Sequence, residues 1–354
     1  VHLRTLYLQN FRLYDEVVFE FCPQVNLICG PNAKGKTTVL EAINVLMTCK
    51  SFRTAQLSDM IRKDASHFYI EGVFVKNGLE QRLKFSCDGK ERRITFNSTP
   101  CASANILGLL QGVVMTPDDA SLVKGAPSMR RQFLDIQIAQ ADPLYVHHAT
   151  RYSRALRQRN CLLKAKEGAS IESWEYEMAV AASYLSQQRA RTIDDLQVLG
   201  KSLHQTLTDS KDQLSLAYHS PSPHQQDLAH LREYYVQLFQ RHRRREMELG
   251  ATLNGPQKDD LSIMLGEQEA RFFASEGQQR SCVAALKLAE WVRLKDQCRE
   301  TPLMMIDDVG LSLDRGRKEK LFRHLSGLEQ VFLTTTEQDI VGEHAGERRV
   351  IHLE

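Results

Sequence analysis

The chain has 354 residues, of which 42% are apolar and 25% charged, with a formal net charge of +2. That length allows two domains or one large domain with an insertion, and a near-neutral charge neither supports nor excludes a nucleic-acid partner. No stretch approaches 18 consecutive apolar residues, which argues against a membrane-spanning helix.

His2 to Leu8 has mixed polarity and no signal-peptide core. The eight cysteines are scattered without a C-x-x-C pair, which suits reduced thiols in a cytosolic protein and not a zinc site. Leu3 to Gln9 and Val17 to Phe21 alternate like half-buried strands around Asn10-Phe11-Arg12-Leu13-Tyr14. Val25 to Cys29 is a short apolar run, and Val39, Leu40, Ile43, Leu46 and Met47 recur at helical spacing behind it. Between strand and helix lies Gly30-Pro31-Asn32-Ala33-Lys34-Gly35-Lys36-Thr37-Thr38, which fits the phosphate-loop pattern G-x-x-x-x-G-K-[ST]. Such a loop turns successive N–H groups and the positive end of a helix toward one point, which suits a polyphosphate. An ATP or GTP site is therefore expected. Lys36 would reach the β- and γ-phosphates, Thr37 would place its hydroxyl on Mg²⁺, and Thr38 is the less direct neighbour.

From Phe68 the pattern is a meander: Phe68 to Lys76, a turn at Asn77-Gly78, Leu79 to Cys87, a turn at Asp88-Gly89, then Arg92 to Asn97. Val113 to Met115 is a candidate core strand, and Thr116-Pro117-Asp118-Asp119 breaks the chain after it. Ser128 to Asp142, Pro143 to Glu167, Trp174 to Thr208 and Leu228 to Glu248 are long, polar and periodic, and are expected as helices. At 1.5 Å per residue a run of about 35 residues spans roughly 50 Å, enough for a compact lobe or short arm. From Gly255 the chain returns to αβ patterning. Leu303 to Ile306 is an apolar run ending in Asp307-Asp308, Lys318 to Leu325 is helical, and Val331 to Leu333 and Val350 to Leu353 read as strands.

An apolar strand ending in acid is what a magnesium-bearing strand beside a phosphate loop should look like. Asp307 would hold the Mg²⁺ shell, and Asp308 would orient or deprotonate the attacking water. Upstream, Ser275-Glu276-Gly277-Gln278 opens a helical run and resembles the S-G-G-Q signature of ABC-type ATPases, with Glu276 in place of the first glycine. There a second subunit's serine and helix amides complete the charge around the γ-phosphoryl, so two chains sandwich two ATP molecules. Ser275, Gly277 and Gln278 are the residues expected to make that contact in trans. Ser312-Leu313-Asp314 resembles a D-loop, carried by Ser312 and Asp314. Thr334-Thr335-Thr336 stands where many relatives carry a switch histidine, and Thr335 is the expected switch position. With no histidine there, and Asp308 in place of the more usual glutamate, hydrolysis is expected to be slow and switch-like.

Further motifs extend the resemblance over essentially the whole length: Asn10-Phe11-Arg12, Lys50-Ser51-Phe52-Arg53, Pro117-Asp118-Asp119, Gly125 to Asp135 with its Arg130-Arg131 pair, Gly255-Pro256-Gln257-Lys258-Asp259-Asp260, and Ala285 to Glu290. On these the chain resembles the RecF family of bacterial recombination and repair ATPases, in the ABC/SMC-like class. It departs from that family's pattern at Gln257-Lys258 and at Asp118. The resemblance implies an α/β fold: an ABC-type head with an antiparallel β meander, plus an inserted, mainly helical lobe. The head would fall in two halves, 1–124 and 251–354, with the lobe at 125–250. The resemblance also implies an ATP-dependent homodimer with Mg²⁺ that binds double-stranded DNA, gaps and single-strand/double-strand junctions. It would be cytoplasmic, work with RecR and RecO to load RecA, and support SOS induction.

The residues themselves offer candidates for phosphate contacts with DNA: Arg82 and Lys84, Lys90, Arg92 and Arg93 on the meander; Arg151, Arg154 and Arg157 on a helix; and Arg241 to Arg245. Solvated faces account for such charges as well. Arg12 and Arg53 flank the nucleotide loop, where either a contact to phosphate or adenine or a salt bridge fits them. Arg130 and Arg131 are placed to bridge head and lobe. A transporter head is disfavoured by the helical insertion, and a nuclease-fused ATPase by the roughly 40 residues left after the D-loop. A structural clamp that binds ATP but barely hydrolyses it is the alternative kept open.

Overall fold

The computed structural model describes residues 1–208, 212–223, 227–308, 315–336 and 348–354. In chain order the strands are β1 (His2–Phe11), β2 (Tyr14–Glu20), β3 (Val25–Cys29), β4 (Phe68–Lys76), β5 (Leu79–Cys87), β6 (Arg92–Phe96), β7 (Thr99–Pro100), β8 (Gly112–Met115), β9 (Leu214–His219), β10 (Asp260–Leu265), β11 (Gln268–Glu269), β12 (Leu303–Ile306), β13 (Val331–Thr335) and β14 (Arg348–His352). The helices are α1 (Lys36–Thr48), α2 (Ser103–Ile106), α3 (Ser121–Lys124), α4 (Pro127–Ala141), α5 (Pro143–Ala165), α6 (Ile171–Leu207), α7 (Leu228–Leu249), α8 (Ala270–Phe273), α9 (Glu276–Cys298) and α10 (Arg315–Leu325). They form two compact units, one of residues 1–120, 202–211 and 275–354, the other of residues 121–201 and 212–274.

The first unit holds two sheets. One is antiparallel, in the order β2-β1-β4-β5-β6-β7. Its hairpins close as the sequence requires: Asn77 and Gly78 both take positive φ between β4 and β5, as a type I′ turn needs. Its apolar face, including Leu6, Leu8, Ile70, Phe74 and Phe85, shares one core with Val39, Ile43 and Leu46 of α1. Gly72 on β4 lets that helix come close, since a Cβ there would stand 2.6 Å from a methyl of Leu46.

The second sheet is parallel, in the order β14-β3-β13-β12-β8. Every residue of β3, β12 and β13 is buried, the near-continuous apolar pattern expected of parallel strands covered on both faces. Because the strands run the same way, β3, β12 and β13 all end at one edge. The phosphate loop, the acidic pair and the Thr334 hydroxyl are delivered there together, where open α/β sheets bind ligands.

The second unit is mainly helical but carries a three-stranded antiparallel sheet, β11-β10-β9, which the sequence did not announce. β9 pairs with β10 from Leu214 opposite Leu265 to His219 opposite Asp260, so each strand needs a partner far along the chain. The boundaries also differ from those expected: residues 251–274 belong to this unit and not to the head, and 202–211 belong to the first unit. The partners found for Arg130 and Arg131, expected to bridge head and lobe, lie inside the second unit. Arg130 makes a bidentate pair with Asp260 at 2.7 and 2.9 Å, and Arg131 donates to the Asp259 carbonyl at 2.7 Å, all within the second unit. The Gly255–Asp260 motif supplies those partners, so its relocation carries the arginines with it.

Candidate nucleotide-binding site

The phosphate loop leaves β3 and enters α1 through two left-handed residues, Ala33 at φ 66° and Gly35 at φ 94°. Gly35 is also required for space: a Cβ would lie 2.6 Å from the Tyr14 hydroxyl and 2.9 Å from Leu13. The Tyr14 hydroxyl donates to the Gly35 carbonyl at 3.3 Å, and burial pushes its pKa up to about 12. Gly30 is confined too, with the Leu353 carbonyl 2.5 Å from where its Cβ would be. Residues 31–34 are exposed, so the loop is open to a ligand.

Lys36 is largely buried and folds back on the loop, donating to the carbonyls of Gly30 at 2.7 Å and Pro31 at 2.8 Å. Thr37 donates its hydroxyl to Asp307, 2.9 Å from each carboxylate oxygen. Thr334 donates to the same carboxylate at 2.7 Å and accepts the Asp308 N–H at 2.7 Å. Burial raises the Asp307 pKa above the ordinary carboxylate value, against the hydrogen bonds from Thr334 and Thr37. Asp308 stands in the left-handed region at φ 53°. These groups line a cavity of about 600 Å³ together with Arg12, Leu13, Asn32, Ala33, Gly35, Thr38, Arg53, Asp59, Ile61 and Pro117. The donor set fits a magnesium ion in its chemistry: a hydroxyl and a carboxylate meet at the end of the phosphate loop, the hard oxygen ligands that ion takes.

Arg12 and Arg53 are joined through a residue that sequence reasoning passed over. Glu41, on α1 and fully buried, accepts from Arg12 at 2.6 and 3.0 Å, from Arg53 at 3.2 Å and from the Ser51 hydroxyl at 2.5 Å. Arg12 also donates to the Asp59 carbonyl at 2.6 Å. The salt bridge is thus present in the structure, while both arginines still line the cavity.

The hydroxyl that meets the acidic pair belongs to Thr334 and not to Thr335, the expected switch position. Successive strand residues face opposite ways, and Thr335 is buried beside Cys29 without lining the cavity. Ser312 and Asp314 lie outside the described residues.

Ser275 caps α9 in a full capping box: its hydroxyl accepts the Gln278 N–H at 3.3 Å, and the Gln278 side chain accepts the Ser275 N–H at 2.8 Å. The S-x-x-Q spacing makes this a local preference of the sequence. Ser275 is exposed and Gly277 and Gln278 are partly so, and none of the three lines the nucleotide cavity of its own chain.

The basic candidates separate. Arg82 and Lys84 both pair with Glu71, at 3.1 and 3.5 Å. Arg92 and Arg93 are both exposed at the start of β6, where strand alternation sets their Cβ atoms on opposite faces. Arg151 is held bidentate by Glu177 at 2.7 Å, and its guanidinium keeps that carboxyl below the usual range. Arg154 and Arg157 are exposed on α5. Arg243 is bound to Glu172 and Glu175, whereas Arg241, Arg244 and Arg245 are exposed. Among the described residues no helix is long and apolar enough to cross a membrane.

The family model described as the RecF/RecN/SMC N terminal domain matches residues 2–352. The chain is 51% identical over 353 residues to the DNA replication and repair protein RecF of Protochlamydia amoebophila (strain UWE25), covering 99% of this chain and 98% of that one. It is 35% identical over 348 residues to the protein of the same name from Halalkalibacterium halodurans, covering 96% and 94%. A solved structure of the recombination mediator protein RecF-ATPrS in the RecFOR pathway matches with a TM-score of 0.90 at 26% identity, covering 100% of this chain and 96% of that one. Matched by that family model over nearly its whole length and by relatives at 51% and 35% identity, the chain belongs to the RecF family of ABC/SMC-like ATPases.

Proposed function

We propose that this chain is an ATP-driven homodimer that binds double-stranded DNA in replication and recombinational repair and hydrolyses ATP slowly. The observation that carries this reading is the division of the site: Lys36, Thr37, Asp307 and Asp308 converge on one cavity, while the capped turn at Ser275 is exposed and stays out of it. One chain supplies half of the donors that a triphosphate undergoing transfer requires, and an equivalent chain supplies the other half.

Lys36 would exchange its two carbonyls for the β- and γ-phosphates. Thr37 and Asp307 would hold Mg²⁺, which neutralises phosphate charge when bound. Asp308 would orient the attacking water, its backbone fixed by the hydrogen bond to Thr334. In trans, the Ser275 hydroxyl and the α9 amides, those of Gly277 and Gln278 among them, would face the γ-phosphate.

The partners follow from the relatives. The solved relative is placed in the RecFOR pathway, which supports RecR and RecO. Preference for gaps and junctions, RecA loading, SOS induction and cytoplasmic residence rest on the family resemblance. DNA should stimulate the weak ATPase, and no nuclease chemistry is proposed. Exposed Arg154 and Arg157 are the better phosphate contacts, since Arg82, Lys84 and Arg151 already have carboxylate partners.

Steady-state ATP turnover with and without duplex DNA, in wild type and Lys36→Arg, tests this. A DNA-stimulated rate below the enzyme median of roughly 10 s⁻¹, lost in the variant, is expected. Equal rates in the two proteins would leave only a clamp that does not use ATP chemistry.

A further inference from the structure

One side chain from outside the phosphate loop reaches two of its peptides. Tyr14 opens β2 and pairs with Phe11 across the two-residue turn Arg12-Leu13. That turn is fixed from its far side. The Arg12 N–H donates to the Met60 carbonyl at 2.8 Å, the Arg62 N–H donates to the Asn10 carbonyl at 2.8 Å, and the Arg12 guanidinium donates twice to Glu41. The Tyr14 ring in turn packs edge-on against Phe19, with centroids 5.6 Å apart. From this frame its hydroxyl meets the carbonyls of Lys34 at 3.4 Å and Gly35 at 3.3 Å, sharing one proton between them.

In a planar trans peptide the carbonyl and the N–H point in opposite directions. Drawing the Lys34 and Gly35 carbonyls toward Tyr14 therefore turns the N–H groups of Gly35 and Lys36 away from it. Tyr14 does not line the nucleotide cavity, whereas Gly35 and Lys36 do. The Gly35 carbonyl is also fixed by the Val39 N–H at 3.1 Å, the bond that opens α1. Lys34 precedes that helix, and the glycine next to it leaves the backbone free to swing. The peptide between Lys34 and Gly35 is thus the one that most needs an outside anchor.

We propose that Tyr14 is a positioning residue of the nucleotide site: its hydroxyl orients the loop so that the Gly35 and Lys36 N–H groups face the phosphates. The proposal rests on the reading of this cavity as a nucleotide site and needs no second copy of the chain.

Tyr14→Phe keeps the ring and removes only the hydroxyl, and the test compares it with wild type. In calorimetric titrations with Mg²⁺, the dissociation constants of ATP, ADP and pyrophosphate should each rise about three- to tenfold, the effect of one neutral hydrogen bond. Because the amides hold the phosphates in ground and transition state alike, KM for ATP should rise by the same factor while kcat stays within about twofold. A residue that only supports the fold would lower kcat through the active fraction and leave KM unchanged, and that result would overturn the proposal. So would unchanged dissociation constants, or weaker ATP binding with pyrophosphate unaffected. A wild type that binds no ATP would instead remove the nucleotide reading, and this role with it.

Discussion

Glu41 is a carboxylate fully removed from water, and it is tolerated because two guanidiniums and a hydroxyl surround it. Removing one partner of a buried ion pair leaves the others uncompensated, at a cost of about 3–5 kcal/mol. Glu41→Gln is therefore expected to lower unfolding stability by about 3 kcal/mol in a urea titration. The sequence displayed Glu41 only as a polar position on α1 next to an apolar stripe. Its role needs Arg12, Ser51 and Arg53 folded around it, and that convergence is tertiary. Asp307 shows the opposite balance. Its folded pKa is raised by burial, so the folded state favours the protonated acid. That preference is greatest below the unfolded pKa and is lost as pH rises through the folded value. At neutral pH, Asp307→Asn should thus raise the thermal midpoint of the nucleotide-free protein while abolishing magnesium-dependent ATP turnover, the trade-off expected of a strained functional group. A lowered midpoint would show that the carboxylate is structurally required. Phosphate-loop residues and the acidic pair were legible because spacing along one strand or loop fixes them. Thr334 was not separable from Thr335, since strand register decides which hydroxyl faces the cavity.

Helix α9 carries both a cap and a charge cluster, and each gives a prediction. Ser275 has two readings, helix cap and contact to a second copy's nucleotide. Aspartate caps as well as serine and suits the helix dipole, but places a negative charge against a triphosphate. Ser275→Asp should keep the unfolding free energy within about 0.5 kcal/mol of wild type, whereas Ser275→Ala should lose about 1 kcal/mol. Only the aspartate variant's retained stability combined with lost ATP-driven dimerisation would separate the two roles. Further along α9, Lys287 pairs with Asp119 at 3.4 Å and lies 3.8 Å from Glu290, which is almost fully buried. Burial pushes the Glu290 pKa up to about 7, with Lys287 opposing the rise. A raised acid pKa contributes stability below its unfolded value near 4.5 that is lost as pH climbs to about 7. Relative to Glu290→Gln, wild type should lose on the order of 2 kcal/mol between pH 4.5 and 7.5, measured by denaturant titration at each pH. A constant difference would contradict the burial argument. The elements themselves were largely readable, as the long helices and the meander turns show. The β9–β10 pairing was not, because Leu214–His219 is short and its partner follows a whole intervening helix.

At the scale of the whole chain, a net charge of +2 offers no broad attraction for DNA, so binding must come from local clusters. Several of those clusters are neutralised internally, as Arg82, Lys84 and Arg151 show. Affinity is therefore expected to fall steeply with salt and to require ATP. Arg154→Ala/Arg157→Ala should reduce the slope of log affinity against log salt by about 2, roughly 1 per phosphate contact, in a fluorescence titration with duplex DNA. An unchanged slope would move the DNA contact elsewhere. Charge runs in the sequence could not make this distinction, since partners such as Glu71 and Glu177 come from other strands and helices. The central claim is that nucleotide joins two copies through one chain's loop and the other's capped serine. Mass in solution by light scattering, with and without ATP and Mg²⁺, tests it most directly. The account predicts a species of twice the 40.4 kDa chain mass with nucleotide, absent without it and absent in Ser275→Asp. A single-chain mass in saturating ATP and Mg²⁺ would contradict it.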